Sequence, residues 1–467
     1  MTTERHRSSC LGCKAPRGAI TGGQLRPLAL ALAAALAAFA IFGISCGSSE
    51  DDTSAGQETV TGDTTGVSDT ELKIGTLLPL TGVAATWGVP MRDGLQAYFD
   101  YINDQGGMYG RKITLHVGDS QYTGPMAKEA AVKLVEQDKV FAFIGNLGTQ
   151  VETAVSQYLE ENGVPDIFVL SGARKFTDPV AKNRFTAQVD YTTEGRIFAT
   201  YLNKTYPGKK LGILAQNDDY GKEGEAGIRQ GLEDLDSKIE ITVQYYDAME
   251  VDVTAQMQRL KMDDVDVIMF WGGPLQAANM MKTARETLNW DVPMLINQAN
   301  AGEGLAPLAG FDNIEGVVST TIGHQSWETD SPGVVSRKEI AAKYAPGVTW
   351  DNMVFAGYTM AESFVALLKQ AGQNLTRESL IAAAESVCDY STDISMVPQS
   401  TSPTDHSFVE AEIFVRATVD RSGAQPSLRW VPFGDPVDFE TTEDCAVPTP
   451  PPGAEDQPGL PLGDEQQ

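Results

Sequence analysis

Glu71-Leu-Lys-Ile-Gly-Thr-Leu-Leu-Pro-Leu-Thr-Gly82, followed by the segment Pro90 to Asp104, carries the pattern that decides the fold. Lys73 to Leu78 is a short apolar run that reads as a buried strand. Met91, Leu95, Tyr98 with Phe99, and Ile102 then recur at helical spacing. A buried strand followed by an amphipathic helix is the unit from which parallel sheets are built.

That unit repeats. Strands are predicted at Lys112 to Val117, Val140 to Ile144 and Asp166 to Leu170, separated by helices at Met126 to Gln137 and Thr149 to Glu161. A second series begins with a helix over 192–205 and a strand at Leu211 to Ala215. It continues with a helix over 221–235, a strand at Ile239 to Tyr246 and a helix over 253–262. A strand at Val265 to Trp271, a helix over 274–288 and a strand at Pro293 to Asn297 follow. After Val317 to Ile322 come helices near 332–344, 352–371 and 376–386, then short strands near 409–415 and 428–432. The fold class is α/β, with two doubly wound parallel-sheet lobes.

The whole chain of 467 residues has 35 Lys+Arg against 63 Asp+Glu, a net charge of −28. Phosphate backbones repel such a surface, which excludes general nucleic-acid binding. Five cysteines are too few for a disulfide scaffold, and four histidines argue against a dense His-based metal cluster.

The N-terminus carries Arg5, Arg7, Lys14, Arg17 and Arg26 against Glu4, then the apolar run Leu28 to Ile44, then Ser45-Cys46-Gly47. A basic start, an apolar stretch and small residues form a secretory signal, expected over residues 1–45. The same junction, Gly43 to Gly47, matches the serine-hydrolase pattern G-x-S-x-G. That motif has meaning only between a strand and a helix of a folded sheet, so it is set aside. Residues 46–70, rich in Gly, Ser, Thr and Asp, read as a flexible tether, and 447–467 as a disordered Pro-rich tail. Removal of the signal takes Cys10 and Cys13, and beyond Cys46 at the junction the chain has Cys388 and Cys445. An oxidising exterior permits a disulfide between them, with two free thiols as the alternative.

In open α/β sheets ligands sit at the carboxyl ends of strands. The loops there read Pro79 to Gly88, Gly145-Asn-Leu-Gly148-Thr149, Ser171-Gly172-Ala173-Arg174, Asn217-Asp-Asp-Tyr-Gly221 and Trp271-Gly-Gly-Pro274. Their small residues let backbone N–H groups approach a ligand, and helix N-termini favour an anionic group. Thr149 is expected to cap its helix. Trp87, Tyr122, Tyr220 and Trp271 are candidate walls, with Gly148 and Tyr191 beside them.

Those loops carry a resemblance. The segments Ile74 to Gly82, Tyr101 to Lys112, Ala130 to Glu136, Phe143 to Thr149, Asn217 to Gly221 and Val265 to Gly273 resemble, in order and spacing, the leucine/isoleucine/valine-binding family of type I periplasmic binding proteins. The likeness spans roughly residues 71 to 435. It implies two lobes joined by a three-strand hinge, lobe 1 being 71–188 plus about 326–400 and lobe 2 being 189–325 plus about 401–435. It also implies that Thr149 and the loop Ser171 to Ala173 bind a ligand carboxylate and that Tyr220 lines the facing lobe. Where the family has S-A-T, this chain has Ser171-Gly172-Ala173. Where amino-acid binders hold an ammonium group with an acid, it has Gln298, with Asp218, Asp219 and Glu303 as replacements. Arg174 is a second candidate for the carboxylate, against the plain reading of a solvated arginine.

The implied function is capture of a small carboxylate-bearing solute, an amino acid or related organic acid or amide, and its delivery to the permease subunits of an ABC importer. The alternative is an extracellular sensor that signals through a separate membrane partner. The junction at Cys46 resembles a bacterial lipoprotein signal, so the protein is expected to be exported, lipid-anchored at Cys46 and monomeric. No catalytic constellation, metal site or cofactor is expected, and His116, His324 and His406 read as surface or satisfied histidines.

Overall fold

The computed structural model describes residues 61–439, 445 and 448–459. The signal peptide read over 1–45, Cys46 and the first part of the tether lie outside the described residues.

The first sheet uses β1 (Glu71–Leu78), β2 (Lys112–Asp119), β3 (Ala142–Ile144), β4 (Asp166–Val169) and β5 (Arg184–Thr186) in the order β2-β1-β3-β4-β5. Its strands are parallel, with Ile74 opposite Leu115 and Phe143 opposite Asp166. Helices α1 (Ala85–Asp104), α2 (Gly124–Lys133) and α3 (Thr149–Glu161) make the crossovers. β3 and β4 are buried along their whole length, as strands covered on both faces must be.

The second series supplies α4 (Tyr191–Thr205), β6 (Lys210–Gln216), α5 (Asp219–Asp234), β7 (Glu240–Tyr246), α6 (Thr254–Met262) and β8 (Val267–Trp271). It continues through α7 (Pro274–Lys282), β9 (Met294–Ile296), α8 (Leu305–Ala309), α9 (Phe311–Ile314) and β10 (Val318–Thr321). The chain then returns to the first lobe as α10 (Pro332–Tyr344), α11 (Asn352–Ala371) and α12 (Arg377–Ala384), before β11 (Ala411–Asp420), β12 (Ser427–Pro432) and β13 (Val437–Asp438). The second sheet runs β12-β11-β10-β9-β8-β6-β7, with β13 on β11. β6 to β10 are parallel; β11 is antiparallel to β10 and to β12.

The chain crosses between the sheets three times, at 187–190, 322–331 and 400–410. Isolated bridges tie these crossings to neighbours: Thr186 to Ser407 and Gly323 to Ser395. α1 and α11 pack backbone to backbone. A Cβ on Gly94 would stand 2.0 Å from Val354 O, and one on Gly357 2.2 Å from Met91 O.

Several expectations shift. α1 starts at Ala85, ahead of the Pro90 that the periodicity marks. Helix 274–288 is regular only to Lys282 and closes in a wide turn over Thr283–Thr287. β5, α8, α9 and β13 are too short to show a period. The described parts of two segments read as free, 61–70 and 448–459, make contacts to the rest of the chain. Of the tether, Asp63 pairs with Arg377 at 2.8 Å and Val67 bridges Leu72. Of the tail, Gln457 Oε1 accepts the Tyr109 N–H at 2.5 Å, Lys369 Nζ donates to Gly459 O at 3.0 Å, and Ala454 is buried. Composition alone does not show these contacts, which for Asp63, Gln457 and Gly459 reach partners far away in sequence. Cys388 and Cys445 form a disulfide with a Cα–Cα distance of 5.7 Å. Among the described residues no helix is long and apolar enough to cross a membrane.

Candidate functional site

The loop between β3 and α3 is braced by Asn146, whose Oδ1 accepts the Leu77 N–H and whose Nδ2 donates to Asp166 Oδ1, both at 2.9 Å. Gly148, not Thr149, is the cap residue, at φ 112°, and Thr149 is the first residue of α3. A side chain at Gly148 would also meet the Tyr122 ring at 2.5 Å.

The hydroxyls expected to bind a carboxylate turn to one another. Thr149 Oγ1 lies 2.8 Å from Ser171 Oγ and 3.1 Å from Tyr191 OH, and Ser171 Oγ lies 3.5 Å from Tyr191 OH. All three residues are buried, and burial pushes the Tyr191 phenol well up from its ordinary value. Gly172 makes this possible, because a Cβ there would stand 2.2 Å from Val189 O and 2.8 Å from the Tyr191 ring.

In front of this cluster a cavity of about 250 Å³ opens between the two lobes. Of the residues picked from the sequence, Trp87, Tyr122, Gly148, Tyr191, Tyr220 and Gln298 line it. Trp87 and Tyr122 meet edge to face at 6.1 Å, and Tyr191 and Tyr220 lie tilted at 4.9 Å. Tyr220 OH accepts from Asn297 Nδ2 at 2.6 Å, which fixes the ring. Thr149, Ser171, Gly172 and Ala173 sit behind the lining, and Trp271 is fully buried behind Tyr191, edge-on at 6.0 Å.

The acids weighed as ammonium partners have other tasks. Asp218 Oδ2 accepts from Gln150 Nε2 of lobe 1 at 2.9 Å and from Gln216 Nε2 at 2.6 Å. Asp219 pairs with Lys175 at 2.5 Å, and Glu223 accepts the Arg174 N–H at 2.9 Å. These contacts join the lobes. The Arg174 guanidinium lies 3.7 Å from Asp178 at the surface, away from the cavity. Glu303 accepts from Ser326 Oγ and, at 2.8 Å, from Asn352 N, and burial pushes its carboxyl up to about 7.

The far wall was not legible in the sequence loops. It comes from α11, through Met353, Ala356 and Met360, and from the loop 390–399, through Tyr390, Ile394 and Val397. The spacing 353, 356, 360 is a helical stripe that any core helix shows, so no signal separated it from ordinary packing. Midway along α11, Glu362 pairs with Arg337 at 2.8 Å; burial holds its carboxyl up at about 7. His324, partly exposed and with its Nδ1 paired to Glu328 as a satisfied surface histidine would be, also lines the cavity. Among the described residues no lysine or arginine lines it.

The family model described as "Periplasmic binding protein" matches residues 71–424. A Leu/Ile/Val-binding protein homolog of Brucella abortus is 24% identical over 250 residues, 54% of this chain and 66% of that relative. The chain thus spans slightly less than two thirds of that relative. A Leu/Ile/Val-binding protein of Rhizobium johnstonii is 25% identical over 334 residues, 70% of this chain and 87% of the relative. Among solved structures, a fatty acid ABC transporter substrate-binding protein from Thermomonospora curvata superposes with a TM-score of 0.70 at 24% identity, covering 79% of this chain and 94% of that one. A branched-chain amino acid ABC transporter protein from Thermus thermophilus with bound valine gives 0.69 at 20% identity, covering 80% and 98%. Both likenesses carry the fold alone. With the family match over residues 71–424, the chain belongs to the periplasmic binding proteins and has their type I fold.

Proposed function

We propose that this protein captures a small solute between its lobes outside the cytoplasm and presents it to the permease of an ABC importer. The observation that carries the reading is the interlobe cavity of about 250 Å³, walled by Trp87, Tyr122, Tyr191 and Tyr220 from both sides. Aromatic walls give large apolar burial without loss of specificity, because ring geometry is restrictive. The solute has an apolar body and a carboxylate. Relatives named for leucine, isoleucine and valine and a structural neighbour named for fatty acids support that class.

Binding works through lobe closure. A ligand that touches both lobes stabilises the closed arrangement by its differential contacts, and the Gln150–Asp218 and Lys175–Asp219 contacts add to that arrangement. The protein is exported, anchored through a lipid on Cys46, and carries out no chemistry on its ligand.

A thermal-shift series on the chain from Gly47 onward tests this. Branched-chain amino acids, aliphatic and aromatic monocarboxylates and their amides form the panel. A true ligand at 100 times its Kd adds about 2.7 kcal/mol of stability. Silence across the panel removes the reading.

A further inference from the structure

The cavity poses a problem of charge. A carboxylate leaving water needs hydrogen-bond donors or a cation, since an unpaired buried charge is expensive. The hydroxyls of Thr149, Ser171 and Tyr191 bond to one another, and Thr149 and Ser171 lie behind the lining. The acid in the lining, Glu362, is matched to Arg337. Among the described lining residues, the one side chain able to carry positive charge is His324.

His324 is held in place from both ends. Its backbone N–H donates to Ile394 O at 2.9 Å. Its ring Nδ1 lies 2.6 Å from Glu328 Oε2, and Glu328 Oε1 in turn accepts the Gln325 N–H at 2.8 Å. A carboxylate on Nδ1 makes that nitrogen the donor, which leaves Nε2 for a partner outside the protein. The imidazole is about a third exposed, at 33%. Of the same cavity lining, Glu362 is a charged group, and it pairs with Arg337, which also pairs with Asp393; Glu303 bonds Ser326, two residues along from His324.

We propose that His324 receives the carboxylate of the bound solute through Nε2, and that Glu328 positions its ring. The inference rests on the solute-capture reading and names the chemistry of its polar end. The ligand carboxylate and Glu328 then flank one protonated imidazole, each accepting one N–H. His324 lies on the crossing 322–331, so occupancy acts on a segment that joins the two sheets. The ligand class is a monocarboxylate with an apolar body reaching toward α11.

The test compares hexanoate and benzoate with hexanamide and benzamide on the wild-type chain, His324→Gln and Glu328→Gln, by calorimetric titration. A hydrogen bond to a charged group is lost in His324→Gln, so carboxylate affinity falls about tenfold or more, while amide affinity changes less than about threefold. Glu328→Gln weakens carboxylate binding by a smaller factor. Nitrogen NMR of the wild-type imidazole reports the same event without a substitution: its resonances move to the doubly protonated pattern on adding hexanoate or benzoate. Unchanged carboxylate affinity in a folded His324→Gln, or an imidazole spectrum indifferent to a carboxylate that binds, overturns the proposal while leaving solute capture standing. Binding of amides alone overturns it too. If none of the four probes, nor any member of the wider panel, binds the wild-type chain, solute capture itself fails.

Discussion

The two sides of the cavity are built differently. On one side stand the strand-end loops, where Thr149, Ser171 and Tyr191 lie within 3.5 Å of one another and close their hydroxyls into a buried cluster. On the other stand a hinge segment, the α11 stripe and the loop 390–399, which line the cavity with Met353, Ala356, Met360, Ile394 and Val397 among polar side chains that include His324 and Glu362. The strand-end side has the residue types of an anion site but spends them internally. The α11 stripe has the spacing of a core helix, yet it lines the cavity. A residue's chemistry shows what it can bind, and its neighbours show whether it is free to do so.

Breaking the α11 side should have the largest effect. Cys388 anchors the start of the loop that supplies Tyr390, Ile394 and Val397, and its partner lies 57 residues away. Closing a loop of that length restricts the unfolded chain, so Cys388→Ser is expected to cost about 2–4 kcal/mol in denaturant unfolding. Solute affinity should fall with it, and dithiothreitol should reproduce both effects in the wild-type chain alone. Next in size is Gly172→Ala on the strand-end side. Its Cβ would run into Val189 O at 2.2 Å and into the Tyr191 ring, so overpacking should cost about 1–3 kcal/mol. Unchanged stability in that variant would mean that the hydroxyl cluster is not locked.

The asymmetry also explains what could be read in advance. The strands β1 and β8 and the helices between them follow from apolar runs and 3.6-residue spacing, and the strand-end loops follow from where α/β ligands sit. Trp87, Tyr122 and Tyr220 came from that logic. The closure of Thr149 onto Tyr191 did not, because it depends on Gly172 letting the start of α4 approach the loop after β4. His324 was unreadable for a similar reason: it reaches the cavity because the chain crosses back to the first lobe there and Glu328 turns the ring. The contacts of the described part of the Pro-rich end, to Tyr109 and Lys369, were not readable because both partners are remote in sequence.

Tyr191→Phe sharpens the comparison most directly. It removes one hydroxyl and leaves the 2.8 Å contact between Thr149 and Ser171, so stability should drop by only about 0.5–1.5 kcal/mol. If the cluster is internal, a carboxylate that binds should lose less than about threefold in affinity, well under one hydrogen bond to a charge. A tenfold loss in the titration would return the carboxylate to this side and break the contrast.

The smallest effect at low pH, and the most informative against pH, lies deeper in lobe 2. Glu412 on β11 is fully buried, and burial lifts its carboxyl up to about 8. Glu303 and Glu362 beside the cavity are lifted to about 7 by the same cause. Each folded-state value stands above the ordinary 4.5, so between those limits the native state binds more protons than the unfolded chain. Stability carried by these groups is therefore fully present below about 4.5 and lost as pH rises through 7 to 8. Glu412→Gln copies the protonated side chain; it should leave stability near pH 5 almost unchanged and remove the upper part of the decline. Denaturant melts at intervals from pH 5 to 9 read the slope. An identical slope in Glu412→Gln would assign the decline to the other carboxyls that burial raises, Glu303 and Glu362 beside the cavity and Glu152, Asp166 and Glu194 within the sheets and helices.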